Sequence, residues 1–240
     1  DYADMMYAKM ISVQLINMMG YDVLFQDVDI VWYKNPIPFL QNYKKDENKH
    51  ILLQDDGNRQ IRFGNAYGNS GFYYVKSNPY TKYLFTSMLY SGSLLIEYRS
   101  HQHVLNAKIS EHASLFGLRV AILDGKDFPC GKQYHKEKDV MKEIVAGKKV
   151  PYLFHMSWTE NKVNKLLFMK QMGLWYMKEQ CMGEDMLNAM VSMGKKVEVE
   201  ENVNTCCAKE ALVSCHYGDR PSIISCKDSP HIDKKAKSFW

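Results

Sequence analysis

Long apolar runs are missing from this sequence. No stretch approaches the roughly 20 apolar residues that would cross a bilayer, so nothing in the 240 residues reads as a transmembrane helix. Cys-x-x-Cys pairs are missing as well, although there are six cysteines, and a zinc site of the usual spacing is not expected. An excess of one charge is missing: 31 basic residues against 27 acidic ones leave a formal net charge of +4. That is too little to argue for a nucleic-acid partner, and it would not repel a small anionic substrate. There is no internal repeat. There is no Asn-x-Ser/Thr sequon, which neither supports nor excludes a secretory route. The chain opens on Asp1-Tyr2-Ala3-Asp4 without an initiator Met. It reads as a fragment whose natural start is missing, so the lack of a signal peptide says nothing about destination.

What is present is ordinary for a globular chain, with 46% hydrophobic and 24% charged residues. The length suits one main domain. Cys206, Cys207, Cys215 and Cys226 crowd a polar tail, with Cys130 and Cys181 before them. That crowding suggests disulfides and an oxidising compartment. Adjacent Cys206 and Cys207 would bridge to other partners rather than to each other, and the pairing stays open. Patterning fades after Cys181, so the expected division is a main domain over 1–180 and a Cys-rich extension over 181–240.

The stretch Val23-Leu24-Phe25-Gln26-Asp27-Val28-Asp29-Ile30-Val31-Trp32 organises the chain. It reads as one apolar strand broken near its end by two acids. Residues i and i+2 of a strand share a face, which would project both carboxylates together. A core strand has no packing use for two charges. One reading is a polar strand end with a capping acid. The other is a pair of hard oxygen ligands for Mg²⁺ or Mn²⁺.

Strands and helices then alternate. A helix is expected from Asp4 to Met19, stopped by Gly20. Further strands are expected at 50–54, 71–75, 119–123 and 150–155, with a solvated charged loop at 44–49. Helices are expected from Pro79 to about Tyr90, Gln102 to Phe116, Lys138 to Val145, and Asn161 to about Lys178. This order argues an α/β layered domain. In such sheets ligands sit off the carboxyl ends of strands. Three of these strands end in polar groups: Asp27 with Asp29, Gln54 with Asp55 and Asp56, and His155. Their convergence says more than any one of them.

Together these residues resemble a known family. Asp27-x-Asp29 with Trp32 and Asn35-Pro36, then Gln54-Asp55-Asp56-Gly57, Asn69-Ser70-Gly71-Phe72, Gln102 with Leu105-Asn106, Phe128-Pro129-Cys130-Gly131, and His155 followed by Lys162 and Gly173-Leu174-Trp175 stand in the order found in nucleotide-diphospho-sugar transferases. These are glycosyltransferases with a DxD motif, and the likeness is greatest to plant and algal xylosyl- and arabinosyltransferases. It covers about Lys9 to Trp175. The resemblance implies the GT-A fold, a Rossmann-like mixed sheet flanked by helices, here with a Cys-rich C-terminal appendage. It departs from the family at two points. Only one helix precedes the DxD, so the N-terminal nucleotide-binding part is expected to be truncated. His101 also stands where an acid often precedes the Gln.

The resemblance implies metal-dependent transfer of a sugar from a nucleotide diphosphate to a glycan or glycoprotein, with retained configuration. Asp27, Asp29 and His155 would hold Mn²⁺ or Mg²⁺ against the diphosphate. Lys162, and Lys165 three residues on, would face phosphate oxygens, or they are simply solvated lysines of an amphipathic helix. Asp55 and Asp56 would bond sugar hydroxyls, stabilise the cationic transition state or act as nucleophile; otherwise they cap a turn. Asn69, Gly71, Gln54 and Gln102 would line the donor, with Gly71 supplying a positive φ. His101 and His103 are expected at the surface, and Trp32 and Trp175 in the core. The compartment implied is the Golgi or secretory lumen, with membrane contact only through a type II anchor upstream. Two other functions remain open: a non-catalytic sugar-nucleotide or glycan-binding relative, and a hydrolase using Asp55 or Asp56 as one of two carboxylates.

Overall fold

A computed structural model of the protein describes residues 2–46, 48–57, 67–98, 100–159, 162–178, 206–211, 231–232 and 237–238. The chain forms two compact units. The first comprises Asp1–Lys136 and Val150–Ser157, the second Glu137–Lys149 and Trp158–Trp240. The boundary expected at 180/181 falls outside the described residues.

The first unit opens with helix α1 (Tyr2–Met18), which buries Met6, Met10, Val13 and Asn17. That spacing of three and four residues makes a single helical face. Gly20, at φ 96°, ends the turn that follows. Then come β1 (Val23–Gln26), β2 (Ile30–Trp32), α2 (Ile37–Lys45), β3 (Ile51–Asp55) and β4 (Gly68–Val75). They are followed by α3 (Pro79–Tyr90), α4 (Gly92–Tyr98), α5 (His101–Leu115), β5 (Val120–Leu123), α6 (Gly131–Lys136) and β6 (Leu153–His155). Asn78 caps α3 by accepting from Thr81 N, with Pro79 in the first turn. The second unit holds α7 (Lys138–Val145), α8 (Lys162–Gln171) and the short pair β7 (His231–Ile232) and β8 (Lys237–Ser238).

Four strands make a mixed sheet in the order β1-β4-β3-β5, antiparallel except for the parallel β3–β5 pair. Both faces are covered, and every residue of β4 is buried. Alternation sorts the strands between two cores. Ile51, Leu53, Tyr73 and Val75 face α1, α3 and α5. Leu52, Phe72 and Tyr74 face Leu40 and Tyr43 of α2, with Phe128 and Leu153. A second, two-stranded sheet pairs β2 with β6, Ile30 opposite His155.

The stretch 23–32 is therefore not one strand. β1 belongs to the four-stranded sheet and β2 to the two-stranded one, and the chain turns between them at Asp27-Val28-Asp29. Helices α2, α4 and α6 were not expected, and β6 is shorter than the 150–155 run suggested. Gly71 lies inside β4 and is not among the positive-φ glycines; near the site that backbone belongs to Gly57, at φ 80°. Cys130 is a buried free thiol and Cys207 an exposed one, so neither takes part in a disulfide. Cys181, Cys215 and Cys226 lie outside the described residues.

Candidate metal centre

The site forms where the two sheets meet. β4 pairs with β3 from Ile51↔Val75 to Leu53↔Tyr73, then the register jumps to Gln54↔Asn69. Such a jump leaves backbone groups without ladder partners. Here three of them find others. Asp27 N donates to Gly71 O at 2.7 Å, continuing the β1–β4 edge past Gln26↔Phe72. Gly71 N donates to Asn69 Oδ1 at 2.8 Å. Ser70 N donates to Gln102 Oε1 at 3.0 Å. Asn106, one turn further along α5, accepts from Gly68 N and donates to Gly68 O, both at 2.8 Å. Gln102 and Asn106 thus tie α5 to the irregular start of β4.

The irregularity brings Gly71 beneath Asp27 and His155. A β-carbon at Gly71 would lie 2.4 Å from His155 Cε1 and 2.8 Å from Asp27 Oδ2. The space that glycine leaves open is the space in which these two side chains face each other. Asp29, beside Ile30 of β2, arrives from the other sheet, with Met156 N bonded to Asp29 O at 3.0 Å. One ligand atom from each of Asp27, Asp29 and His155 lies within 4.8 Å of the other two.

The histidine is oriented from behind. Gln54 is fully buried, and its Nε2 donates to Phe128 O at 3.0 Å and Pro129 O at 3.1 Å. Carbonyls only accept, so the amide orientation follows, and Oε1 faces His155 Nδ1 at 2.8 Å. Nδ1 therefore carries a proton. Nε2, the other ring nitrogen, looks toward Asp29 Oδ1 at 3.3 Å. A proton on Nε2 or a cation between the two groups would satisfy that contact. Two carboxylates, one imidazole nitrogen and a glycine-made gap make a donor set that could hold a divalent cation.

Several side chains expected to line the donor also bond within the frame. Gln54 orients His155. Gln102 holds Ser70 and hydrogen-bonds Asp56. Asn69 accepts from Gly71 N and donates to Asp56 Oδ1 at 2.7 Å. The two candidate catalytic acids also part company. Asp55 Oδ1 accepts from Gly57 N at 2.8 Å, closing the Asp-Asp-Gly turn. Asp56 is buried, and burial pushes its carboxyl above the ordinary range; hydrogen bonds from Asn69 and Gln102 and the nearby His155 counter that rise. Lys162 and Lys165 lie on α8 in the second unit. The side chain of Lys162 is outside the described residues, and Lys165 is half-buried.

Two groups differ from expectation. His101 is not at the surface: it is 4% exposed, and its Nδ1 sits 3.1 Å from Met6 Sδ. Burial and the nearby Lys9 ammonium push it down to about 4. Lys9 of α1 was not singled out by sequence, yet its Nζ lies 2.5 Å from Asp27 Oδ1. The available signal was a cation on the edge of the buried Met6/Met10/Val13 stripe. Trp32 and Trp175 are half-buried, Trp32 packing edge-on against Phe72 at the margin of the second core. Burial pushes the thiol of Cys130, beside the site, up to about 12, which works against thiolate formation there.

A sequence profile of the nucleotide-diphospho-sugar transferases matches residues 1–169, and the chain belongs to that family. The mixed sheet with helices on both faces agrees with the α/β layered domain expected from the sequence. Beta-arabinofuranosyltransferase RAY1 of Arabidopsis thaliana is 26% identical over 195 residues, 68% of this chain and 32% of the relative. The UDP-galactose:fucoside alpha-3-galactosyltransferase of Dictyostelium discoideum is 27% identical over 176 residues, 67% of this chain and 26% of the relative. The chain thus spans about a third or less of the length of these relatives. Among solved structures, a glycosyltransferase involved in glycosylation of the PBCV-1 major capsid aligns at TM-score 0.43 and 14% identity, over 70% of this chain and 76% of that one. The galactosyltransferase LgtC aligns at 0.42 and 14%, over 80% and 70%. At those scores the structural likeness adds nothing to the family assignment.

Proposed function

We propose that the chain is the catalytic part of a glycosyltransferase that moves a sugar from a nucleotide diphosphate to a hydroxyl of a glycan or glycoprotein. Asp27, Asp29 and His155 hold Mn²⁺ or Mg²⁺ against the diphosphate. The observation that carries this reading is the convergence of Asp27, Asp29 and His155, with ligand atoms within 4.8 Å of one another, His155 being held by Gln54 so that Nε2 faces Asp29.

When bound, the cation would supply Lewis-acid stabilisation of the leaving diphosphate. The remaining roles fall to the chain itself. Asp27 and Asp29 offset the positive charge gathered at the site. Gln54 keeps the proton on Nδ1 of His155. Gly71 leaves room for the groups above it. Of the two acids, Asp56 is the one we place beside the reacting sugar, because Asn69 links it to Gly71, whereas Asp55 is committed to its turn. There its carboxylate faces the positive charge that builds on the sugar as the bond to diphosphate breaks, and we propose retained configuration. Lys162 and Lys165 are proposed phosphate contacts on sequence grounds alone. The family's kinship to pentosyl- and galactosyltransferases puts UDP-activated pentoses and galactose first among donors to try. The compartment we propose, the Golgi or secretory lumen with an upstream type II anchor, rests on that kinship alone.

Hydrolysis of nucleotide sugars with and without Mn²⁺ tests this reading, comparing the protein with its Asp27→Ala/Asp29→Ala variant. We expect Mn²⁺-dependent release of nucleoside diphosphate, lost in the variant by a factor of ~100 or more. Equal turnover by the two proteins would overturn the metal assignment. Donor binding without turnover would favour a non-catalytic binding protein.

A further inference from the structure

We propose that Lys9 is a positioning residue that sets which divalent cation the site accepts, by holding one oxygen of Asp27 so that only the other is offered. The inference rests on the metal reading above and deepens it. Asp27 presents its two oxygens to different neighbours. Oδ1 is bonded to Lys9 Nζ at 2.5 Å. Oδ2 is the oxygen that lies over Gly71, on the side of His155. Neither arrangement is loose. Asp27 N is tied to Gly71 O. The Lys9 ammonium lies 5.9 Å from the Phe25 ring, which stacks on buried Tyr73 at 5.1 Å. Lys9 and Asp27 side chains are only 22% and 24% exposed. Lys9 does for Asp27 what Gln54 does for His155: it fixes which atom faces the cation.

A carboxylate with both oxygens available can chelate. Ca²⁺, with six to eight oxygen ligands and a flexible shell, profits from chelation, whereas a small cation with near-octahedral demands takes one oxygen. Occupying Oδ1 therefore disfavours Ca²⁺ and leaves Mn²⁺ or Mg²⁺ little affected. The charge of Lys9 acts differently, since a nearby ammonium weakens binding of every divalent cation alike. The ratio of affinities separates the two effects.

The test is calorimetric binding of Mn²⁺ alone and Ca²⁺ alone to the 240-residue chain and to its Lys9→Met, Lys9→Arg and Asp29→Asn variants. We expect Lys9→Met to lower the Kd(Ca²⁺)/Kd(Mn²⁺) ratio by ~10-fold, and Lys9→Arg, which keeps a donor on Oδ1, to retain the wild-type ratio. An unchanged ratio in Lys9→Met, whether or not both affinities rise together, overturns the proposal. Asp29→Asn reads the underlying site: if it lowers Mn²⁺ affinity while the Lys9 variants leave the ratio alone, only the role of Lys9 falls. If the wild-type chain binds neither cation, the metal reading falls and this inference with it. Thermal melts in chelator establish that each variant is folded, and Lys9→Gln replaces Lys9→Met if the latter is not.

Discussion

The two halves of the proposed metal centre are built differently. The nitrogen half is buried and braced: His155 is 3% exposed, and fully buried Gln54, bonded to two carbonyls, holds its Nδ1. The oxygen half is a surface turn. Asp27 and Asp29 side chains are 24% and 17% exposed, and Val28 between them is fully exposed. The difference is one of surroundings. A ligand oriented by a buried network would define where a cation sits, whereas Asp27 stands on a turn and is held through Oδ1 by half-buried Lys9.

Gly71 is where the comparison breaks most severely. A methyl there meets His155, which Gln54 holds in place, at 2.4 Å. We expect Gly71→Ala to lower Mn²⁺ affinity by ~100-fold and to cost about 1–3 kcal/mol of unfolding free energy from overpacking. Calorimetry and urea unfolding check the two figures. Val28→Ala, on the exposed turn, is the counterpart and should change stability by less than about 0.5 kcal/mol.

A smaller effect sharpens the buried half through pH. His101 is pushed down to about 4 from its ordinary 6.5, first by burial and then by Lys9. Its unfolded form takes up a proton as pH falls through 6.5, while the folded form holds out until about 4. The unfolded state therefore binds more protons in this window, and stability is lost as pH falls. Between about pH 7 and pH 4.5 the loss from this group should be about 2–3 kcal/mol. Burial raises Asp56, which works in the opposite direction at the acid end. Denaturant unfolding of wild type and His101→Gln at both pH values isolates the histidine, and the variant should lose correspondingly less.

Much of the fold was legible where local chemistry and burial agree. α1 is written in its three-and-four spacing, α3 in Asn78-Pro79, and β3 and β4 in their apolar runs. α2 was not, because Pro38 and a charged end disguise a helix whose burial falls on Leu40 and Tyr43. The acids at 27 and 29 were legible as a pair but not in their geometry. Spacing of two within an apolar run implies a strand face, whereas the structure brings them together by changing sheets between them. Gly71 serves through missing volume rather than through a positive φ, which a sequence does not distinguish. Gln54 and Gln102 were placed at the site, but sequence cannot distinguish a glutamine that touches a ligand from one that holds the residue that does. Lys9 and His101 depend on the packing of α1 against α5, a long-range contact that no local pattern records.

The most direct test of the central claim is pulsed electron paramagnetic resonance on Mn²⁺ bound to the chain. The account predicts one directly coordinated imidazole nitrogen, lost in His155→Gln while the protein remains folded. A manganese shell made of oxygen alone, or a nitrogen signal that survives the substitution, would contradict it.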